Sequence, residues 1–260
     1  MDAMTSKQVK LSRVIPRWLI VTVLIAAAGA TWGCRKQIVQ PTTFPTPYPG
    51  PKMWAVVPFR NETGIRDVDT ARLADKLTNH LLTVEDIDVV PVNRVIEAMA
   101  VLEMRDVQTV GEAMKLMQTM DLDGLIVGTA TAWDPYEPPK IGLIVQLYTQ
   151  DRPGYVNLDP YELQRAGSDD ILPGLRTFEQ PIAMATMHLD AANGEVLALI
   201  QAYAKGRTPP QSPAGWRRYL LSMDLYSEFA AHEAMRRLFK AEWQRLTAGR
   251  QTEAVASEKP

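Results

Sequence analysis

The chain has few side chains whose types and spacing would permit catalysis or metal binding. Its 260 residues include one cysteine and three histidines, His80, His188 and His232, which are far apart and have no spacing typical of metal ligands. A lone cysteine excludes an internal disulfide and a multi-cysteine zinc cluster. The sequence contains neither a nucleophile-elbow serine nor a glycine-rich phosphate loop. We therefore predict a protein that is not an enzyme, with no catalytic residue, no metal and no cofactor.

The first 33 residues have the pattern of a secretory signal peptide. Four basic residues come first, and an uncharged stretch over residues 18–32 follows. A helix that crosses the roughly 30 Å of bilayer hydrocarbon needs about 20 apolar residues, so this stretch is short for a permanent anchor. A cleaved leader is the favoured interpretation.

Cys34 is the residue whose surroundings predict a covalent modification. The segment Thr31-Trp32-Gly33-Cys34 resembles the lipobox of bacterial lipoproteins, in which the cysteine becomes the first residue of the mature chain and carries the lipid. Gly33 fits that pattern, whereas Thr31 and Trp32 replace its usual leucine and small residue. The resemblance implies that Cys34 anchors the chain to a bilayer; the alternative is a thiol at the end of an uncleaved membrane helix. Arg35 stands where an aspartate would signal inner-membrane retention, so we expect a periplasmic domain at the outer rather than the inner membrane.

The residues after Cys34 predict a tether followed by one folded domain. Five prolines fall within residues 34–52, and each fixes its own φ and removes a hydrogen-bond donor. The composition, 46% hydrophobic and 22% charged, is that of an ordinary globular protein. Loss of the leader would remove four of 28 basic and one of 30 acidic side chains, which leaves a formal charge of -5. This charge does not suggest nucleic acid as a partner.

Residues 53–246 carry alternating strand and helix patterns, which predict one α/β domain. Apolar runs of strand length lie at residues 53–59, 88–92, 124–133 and 141–148. Leucines recur every fourth residue after Asp69, which predicts a helix with Asp69 as its N-cap. Asn93 is placed to cap a second helix. Thr109 and Glu112 have the spacing of a capping box before a third.

The end of the domain predicts a β-hairpin and a long helix. Segments 183–190 and 195–203 flank Asn193-Gly194, a pair that favours the tight turn of a hairpin. Residues 216–246 contain no proline and predict a long C-terminal helix whose alternating charges are typical of a solvated face. We expect residues 247–260 to form a disordered tail. The predicted fold is a single three-layer-like α/β (α+β) domain, with helices on the faces of a mixed sheet that ends in an antiparallel hairpin.

Three short segments carry a resemblance to a known group of proteins. Residues 56–63, 123–128 and 189–197, in this order, resemble the periplasmic lipoprotein domains related to the curli secretion lipoprotein and the TolB amino-terminal domain. The penicillin-binding-protein activator lipoproteins are similar in plan. The resemblance covers about residues 53–246 apart from one insertion. It implies a lipid-anchored, non-enzymatic module that assembles with itself or with envelope proteins in secretion, surface-organelle assembly or cell-wall synthesis.

The insertion, residues 151–181, is the most distinctive part of the domain. Its four prolines and its adjacent acidic pair disfavour the transmembrane strands that a curli-type pore requires. Its apolar side chains instead predict a partner-binding flap, or else they fold back onto the sheet and complete the core. The candidate partner-binding residues are Tyr155, Leu158, Tyr161, Leu175 and Phe178.

The sequence therefore predicts a membrane-anchored extracytoplasmic lipoprotein that acts as a scaffold or regulator in envelope assembly or secretion. Its expected partners are envelope proteins or further copies of itself, and the lipid bilayer through Cys34. The alternative is a periplasmic small-ligand-binding protein or enzyme that uses a pocket between the insertion and the sheet.

Overall fold

The domain is described here from a computed structural model that covers residues 45–150, 180–209 and 211–257, with side chains to residue 248. The predicted leader, Cys34 and the five candidate residues of the insertion lie outside the described residues, so the predictions made for them stay predictions.

A mixed sheet forms the centre of the domain, as predicted. Its strands are β1 (Lys52–Val56), β2 (Arg60–Asn61), β3 (Ile87–Val90), β4 (Gly124–Asp134), β5 (Lys140–Thr149) and β6 (Ala183–Asp190). The strand order is β3-β1-β4-β5-β6, and β2 pairs with β4 beside this path. The pairs β1/β3, β1/β4 and β2/β4 are parallel. The pairs β4/β5 and β5/β6 are antiparallel, so one half of the sheet is parallel and the other antiparallel.

Within the described residues, six α-helices surround the sheet. They are α1 (Thr70–Leu81), α2 (Val92–Val101), α3 (Val110–Met120), α4 (Gly194–Ala204), α5 (Arg218–Leu221) and α6 (Met223–Ser257), and a single 3-10 turn, Gly215–Arg217, precedes α5. The first three lie before β4 in the chain, as the sequence predicts.

Two helix starts follow the predicted capping chemistry. The side chain of Asp69 accepts a hydrogen bond from the backbone N–H of Arg72 at the start of α1. At the start of α3, Thr109 accepts from the N–H of Glu112, and the Glu112 carboxylate accepts from the N–H of Thr109, which completes the capping box. Helix α2 differs from the prediction, because it begins at Val92 with Pro91 in the N-cap position and without a capping side chain from Asn93.

Hydrophobic side chains pack on both faces of the sheet and make the domain three-layered. On the first face, α1, α4, α5 and α6 bury a cluster that includes Trp54, Leu77 and Phe229. On the second face, α2 and α3 bury a smaller cluster that includes Leu116 and Leu125. Because α2 and α3 cover mainly β1 and the beginning of β4, the second face of β6 carries exposed side chains.

The predicted hairpin over residues 183–203 is wrong in its second half. The chain forms β6 and then helix α4, and Asn193 is the N-cap of that helix rather than part of a turn. Asn193 has φ -81 and ψ 129, and its side chain accepts a hydrogen bond from the N–H of Glu195 at 2.8 Å. Val196, Ile200 and Tyr203, which are spaced four and three apart, then point into the core.

The last helical segment also departs from the prediction at both ends. Ser222 adopts an extended conformation between α5 and α6, so the segment consists of a short helix and a long one. Helix α6 extends to Ser257, although we expected an unstructured tail from residue 247. Residues 247–257 include several alanines and other strong helix formers and contain no proline, which favours continuation of the helix over a tail.

Candidate functional site

The C-terminal end of the predicted tether is bound to the folded domain. The Tyr48 ring lies edge-on to the buried Trp54, with 5.6 Å between ring centroids, and Trp54 stacks on Phe239 of α6 at 5.7 Å. The Tyr48 hydroxyl donates a hydrogen bond of 2.5 Å to Oε1 of Glu242, also on α6. The tether is thus held by an aromatic contact and a polar contact at the same point.

Glu242 makes this contact electrostatically strong. Only 1% of Glu242 is exposed, and its carboxylate accepts hydrogen bonds from Nε and Nη2 of Arg245 at 2.7 and 2.6 Å. Burial raises the pKa of the Tyr48 hydroxyl far above its ordinary value, and the negative charge of Glu242 raises it further. The hydroxyl therefore stays a proton donor to this carboxylate at every physiological pH.

The position of Glu242 corrects the interpretation of α6 as a helix with a solvated charged face. Glu233 is 4% exposed and is bound by Arg236, with 2.8 Å between Oε2 and Nη2. Glu242 is bound by Arg245 in the same i,i+3 arrangement. Both acids are paired within the helix, which allows them to be buried, and an alternating sequence does not distinguish this arrangement from a solvated one.

A row of alternating charges joins α1 to α6. Asp224 accepts contacts from Arg72 and Lys76 at 2.8 Å each, and Glu228 lies 3.4 Å from Lys76 and 3.2 Å from Nε2 of His80. Lys76 and Arg72 lower the pKa of Asp224, chiefly through the hydrogen bond that Lys76 donates. The row fixes the packing of the two helices beside the larger hydrophobic cluster.

His80 and His232 come together at the end of this row. Their ring centroids lie 5.3 Å apart, and the ring of Tyr203 lies 4.9 Å from that of His232. Burial, followed by the neighbouring His80 and Arg207, lowers the pKa of His232 from 6.5 to about 4. The pair packs within aromatic surroundings, which is the arrangement of structural histidines.

The described residues also include a groove on the second face of the sheet, with a volume of about 560 Å³. It is open to solvent and lies between the sheet and the start of α3. Its lining comes from β2, β4, β5 and the loop before α3, and comprises Arg60, Val107, Gln108, Thr109, Val110, Gly111, Val127, Thr129, Gln146, Tyr148 and Pro181. Pro181 is the last residue of the predicted insertion, whose residues 151–179 lie outside the described residues, so the predicted pocket between the insertion and the sheet stays a prediction.

Arg60 lines this groove and is paired with a neighbouring carboxylate. Its Nη2 lies 2.5 Å from Oε1 of Glu62, whereas its Nε is shielded from solvent and has no hydrogen-bond partner among the described residues. The N-terminus of α3 is already occupied, because the Glu112 carboxylate accepts from the N–H groups of Gln108 and Thr109 at 2.8 and 3.0 Å. The groove thus presents a guanidinium together with neutral amide and hydroxyl groups.

Sequence reasoning did not find the Tyr48 contact or the groove. Tyr48 stands between Pro47 and Pro49, and an aromatic ring with a polar end inside a proline-rich stretch was the available signal. Among the described residues, no set of three or more histidine, cysteine or acidic side chains is arranged to hold a metal ion. No helix within the described ranges combines the length and the apolar character needed to span a membrane.

Comparison with known proteins gives only distant likenesses. No family model matches the chain. No curated protein matches it either. Among solved structures, the chain is similar to a PelC dodecamer from Paraburkholderia phytofirmans (15% identity over 40% of this chain and 65% of that chain, TM-score 0.27). It is also similar to the LpoB C-terminal domain from Salmonella enterica (16% identity, 40% and 76%, TM-score 0.32).

A third similar structure is the lipoprotein GNA1162 from Neisseria meningitidis (15% identity, 62% of this chain and 100% of that chain, TM-score 0.35). The matches to PelC span less than two thirds of the PelC chains. Each of these structures has a TM-score below 0.5, so the proposed function rests on the residues of this chain.

Proposed function

We propose that this chain is a lipid-anchored envelope protein whose α/β domain acts through protein contacts and performs no chemistry. The proposal is supported by the sequence pattern of a predicted leader, Cys34 and a predicted proline-rich tether, together with the contact between Tyr48, near the end of that tether, and Glu242. Because the end of the tether is bound to the domain, the tether leaves the domain surface at a defined point. This geometry suits a module that must present one surface to partners near a membrane.

Lipidation is tested by labelling growing cells with a fatty-acid tracer. Wild type should incorporate the label and fractionate with membranes, and Cys34→Ser should lose the label because the thiol that accepts the lipid is gone. Thr31→Leu is the matched control, since it changes the same motif toward the usual lipobox and should keep the label. A wild type that carries no lipid and retains residues 1–33 would overturn the lipoprotein proposal.

The scaffold role is tested separately by chemical cross-linking in intact cells, followed by purification of the full chain. We expect envelope proteins or further copies of the chain in the cross-linked products. If the chain is recovered strictly as a monomer without any envelope protein, the scaffold role is wrong even where lipidation holds.

The groove beside Arg60 favours a second candidate function, the binding of a small anionic ligand. Its volume lies in the range of small-ligand sites, and Arg60 provides one shielded donor. Citrate, phosphate and N-acetylglutamate, used as probes, should raise the melting temperature of wild type but not of Arg60→Gln. Arg94→Gln, at an exposed arginine on α2 that pairs with Glu97, is the control. Equal responses in all three proteins would remove this candidate.

A further inference from the structure

Within the described ranges, strand β6 forms one edge of the sheet, and its sequence lacks the features that usually protect an edge strand. It is eight residues long and pairs with β5 in an unbroken register from Ala183 to Asp190. Natural edge strands are commonly interrupted by proline, lysine or a bulge, or are very short. The sequence AMATMHLD contains no proline, lysine or glycine. Among the residues that the structure describes, no strand pairs with its outer side.

The opposite edge of the sheet is different. Strand β3 has four residues, and one of them, Asp88, is a charged and exposed residue. A short edge with a charge is a poor template for another strand. The contrast singles out β6 as the edge available for pairing.

The antiparallel ladder defines which backbone groups of β6 point outward. Just beyond the strand, the N–H of Ala191 donates to the carbonyl of Pro139 at 3.0 Å. Because hydrogen-bonded and non-hydrogen-bonded pairs alternate along an antiparallel ladder, the odd-numbered residues of β6 exchange hydrogen bonds with β5. The N–H and C=O groups of Met184, Thr186 and His188 therefore point away from the sheet.

The outward groups of β6 are complementary to those of a second β6 strand. When two copies run antiparallel about a twofold axis at Thr186, Thr186 lies opposite its own counterpart and Met184 lies opposite His188. On the helix-covered face, Ala185 lies opposite Met187. Residues 183–189 contain no acidic side chain, lysine or arginine, so the pairing opposes no like charges.

We propose that two copies of the chain pair through the outer edge of β6, antiparallel across Thr186, to form one continuous sheet. In a twofold pairing, the β6 edge of each copy is covered by the β6 edge of the other, so neither β6 edge stays open. The strand of a different protein would have to supply its own matching register. The inference gives the proposed function one specific protein contact. It depends on β6 alone, so failure of the lipid-labelling experiment would not affect it.

A disulfide across the axis tests the register directly. Hydrogen-bonded residues opposite each other in an antiparallel pair have Cα atoms about 5.5 Å apart, within the range of about 4.4–6.8 Å that a disulfide allows. In the full chain, extracted in detergent, Thr186→Cys should therefore form disulfide-linked dimers on mild oxidation. Thr131→Cys is the matched control, because Thr131 is an exposed threonine on β4, separated from the edge by β5. That variant, like wild type with Cys34 alone, should stay unlinked.

Analytical ultracentrifugation in the same detergent tests the dimer without a cross-link. Wild type should sediment as a dimer. Thr186→Pro should be monomeric with an unchanged circular dichroism spectrum, since the N–H that it loses points out of the sheet. Thr186→Lys should weaken the dimer severalfold, because it opposes two like charges at the axis. If the proline variant misfolds, the lysine and cysteine variants decide.

Three results would overturn the proposal. One is a monomeric wild type at micromolar concentration. The second is cross-linking of Thr186→Cys no greater than that of Thr131→Cys. The third is a Thr186→Cys cross-link to a different protein, which would mean that the strand of a partner, and not a second copy, occupies this edge.

Discussion

At the scale of single residues, the burial of Glu242 depends on two partners from different parts of the chain. A carboxylate that is 1% exposed is costly to ionise unless its oxygens are hydrogen-bonded and its charge is balanced. Arg245 supplies the charge and two donors from the same helix, and Tyr48 supplies a third donor from the tether. The tether therefore contributes to the stability of the domain.

Removal of the Tyr48 hydroxyl should measure that contribution. Tyr48→Phe keeps the ring contact with Trp54 but leaves Glu242 one donor short, so we expect the free energy of unfolding to fall by about 1.5–3 kcal/mol. Urea unfolding followed by circular dichroism measures the difference. Tyr136→Phe, at an 80% exposed tyrosine, is the control and should unfold like wild type. A Tyr48→Phe variant as stable as wild type would mean that the hydroxyl contact adds nothing.

The lowered pKa of His232 predicts that the domain loses stability in acid. Its pKa is about 4 in the folded domain, mainly because of burial, and about 6.5 when unfolded. The stabilisation is complete above about pH 6.5 and disappears as the pH falls toward 4, because the unfolded chain binds the proton more tightly. Burial, the largest single influence, would raise the pKa of Glu228, but the hydrogen bonds and charges of His80 and Lys76 together outweigh it and lower the pKa. This lowering also removes stability in acid, as the pH falls below the ordinary glutamate value of 4.5.

The pH dependence can be assigned to His232 by substitution. Between about pH 7 and 4 we expect this histidine to account for a loss of about 1–2 kcal/mol, less than full linkage since the ring is partly exposed. His232→Gln should flatten the pH profile of the unfolding free energy, although Glu228 retains its share. Lys115→Gln changes an exposed side chain on α3 and should follow the wild-type profile. Parallel profiles for all three proteins would show that His232 does not contribute.

These residue contacts could not be predicted from the sequence. Tyr48 and Glu242 are separated by 194 residues, and His80 and the Glu228 carbonyl that it contacts by 148. Periodicity and capping patterns describe neighbours within a few residues along the chain, whereas these pairs meet only after α6 packs across the sheet beside α1.

At the scale of elements, local side-chain chemistry predicted some boundaries and misled at others. Asp69 and the pair Thr109 and Glu112 identified two helix starts, because a capping side chain and the helix it begins are only three residues apart. Asn193 was ambiguous, since asparagine favours both a tight turn and an N-cap. The spacing of Val196, Ile200 and Tyr203 favours the helix, because residues four and three positions apart lie on one helix face.

Gly128 shows how closely strands and aromatic rings approach in this sheet. A Cβ atom on Gly128 would lie 2.5 Å from two atoms of the Phe59 ring. The ring is 4% exposed and cannot move away freely. Gly128→Ala should therefore lower the free energy of unfolding by about 1–3 kcal/mol through overpacking.

Gly111 provides the matched control for that substitution. It lies in α3, and an added Cβ would meet nothing closer than Thr109 at 3.9 Å. Gly111→Ala should raise stability by up to about 1 kcal/mol, because alanine favours a helix more than glycine does. Urea unfolding of both variants checks the pair, and a Gly128→Ala variant as stable as wild type would contradict the contact with Phe59.

At the scale of the whole molecule, two hydrophobic clusters lie on opposite faces of one sheet. Leu77 on α1 belongs to the larger cluster and Leu116 on α3 to the smaller, and both are fully buried. The strands β1 and β4 contribute residues to both clusters. We infer that neither cluster can be lost while the other stays folded.

Truncation in each cluster tests this coupling. Leu77→Ala and Leu116→Ala should each lower the free energy of unfolding by about 2–5 kcal/mol. Each variant should unfold in a single transition that has the same midpoint by circular dichroism and by tryptophan fluorescence. Leu82→Ala, at a leucine that is 61% exposed, is the control and should change little. Separate midpoints in Leu116→Ala would mean that the smaller cluster unfolds alone.

The architecture was easier to predict than the contacts that complete it. The apolar runs and their alternation with helix patterns gave the α/β class and the mixed sheet, because strand burial on one or both faces leaves a direct periodic signal. The groove beside Arg60 left no such signal, since its lining comes from five separate segments of the chain.

The place of β1 in the sheet gives the Tyr48 contact a mechanical consequence. The strand that follows the tether lies between β3 and β4, so a force applied through the tether would pull on a central strand of the domain. Tyr48 comes four residues before that strand and is held by α6. A pulling force would have to break the contacts of Tyr48 with Glu242 of α6 and with the Trp54 ring before it could pull on the backbone of β1 through residues 49–51. If the preceding residues are anchored as proposed, we expect the Tyr48 contacts to break before the hydrogen bonds of β1.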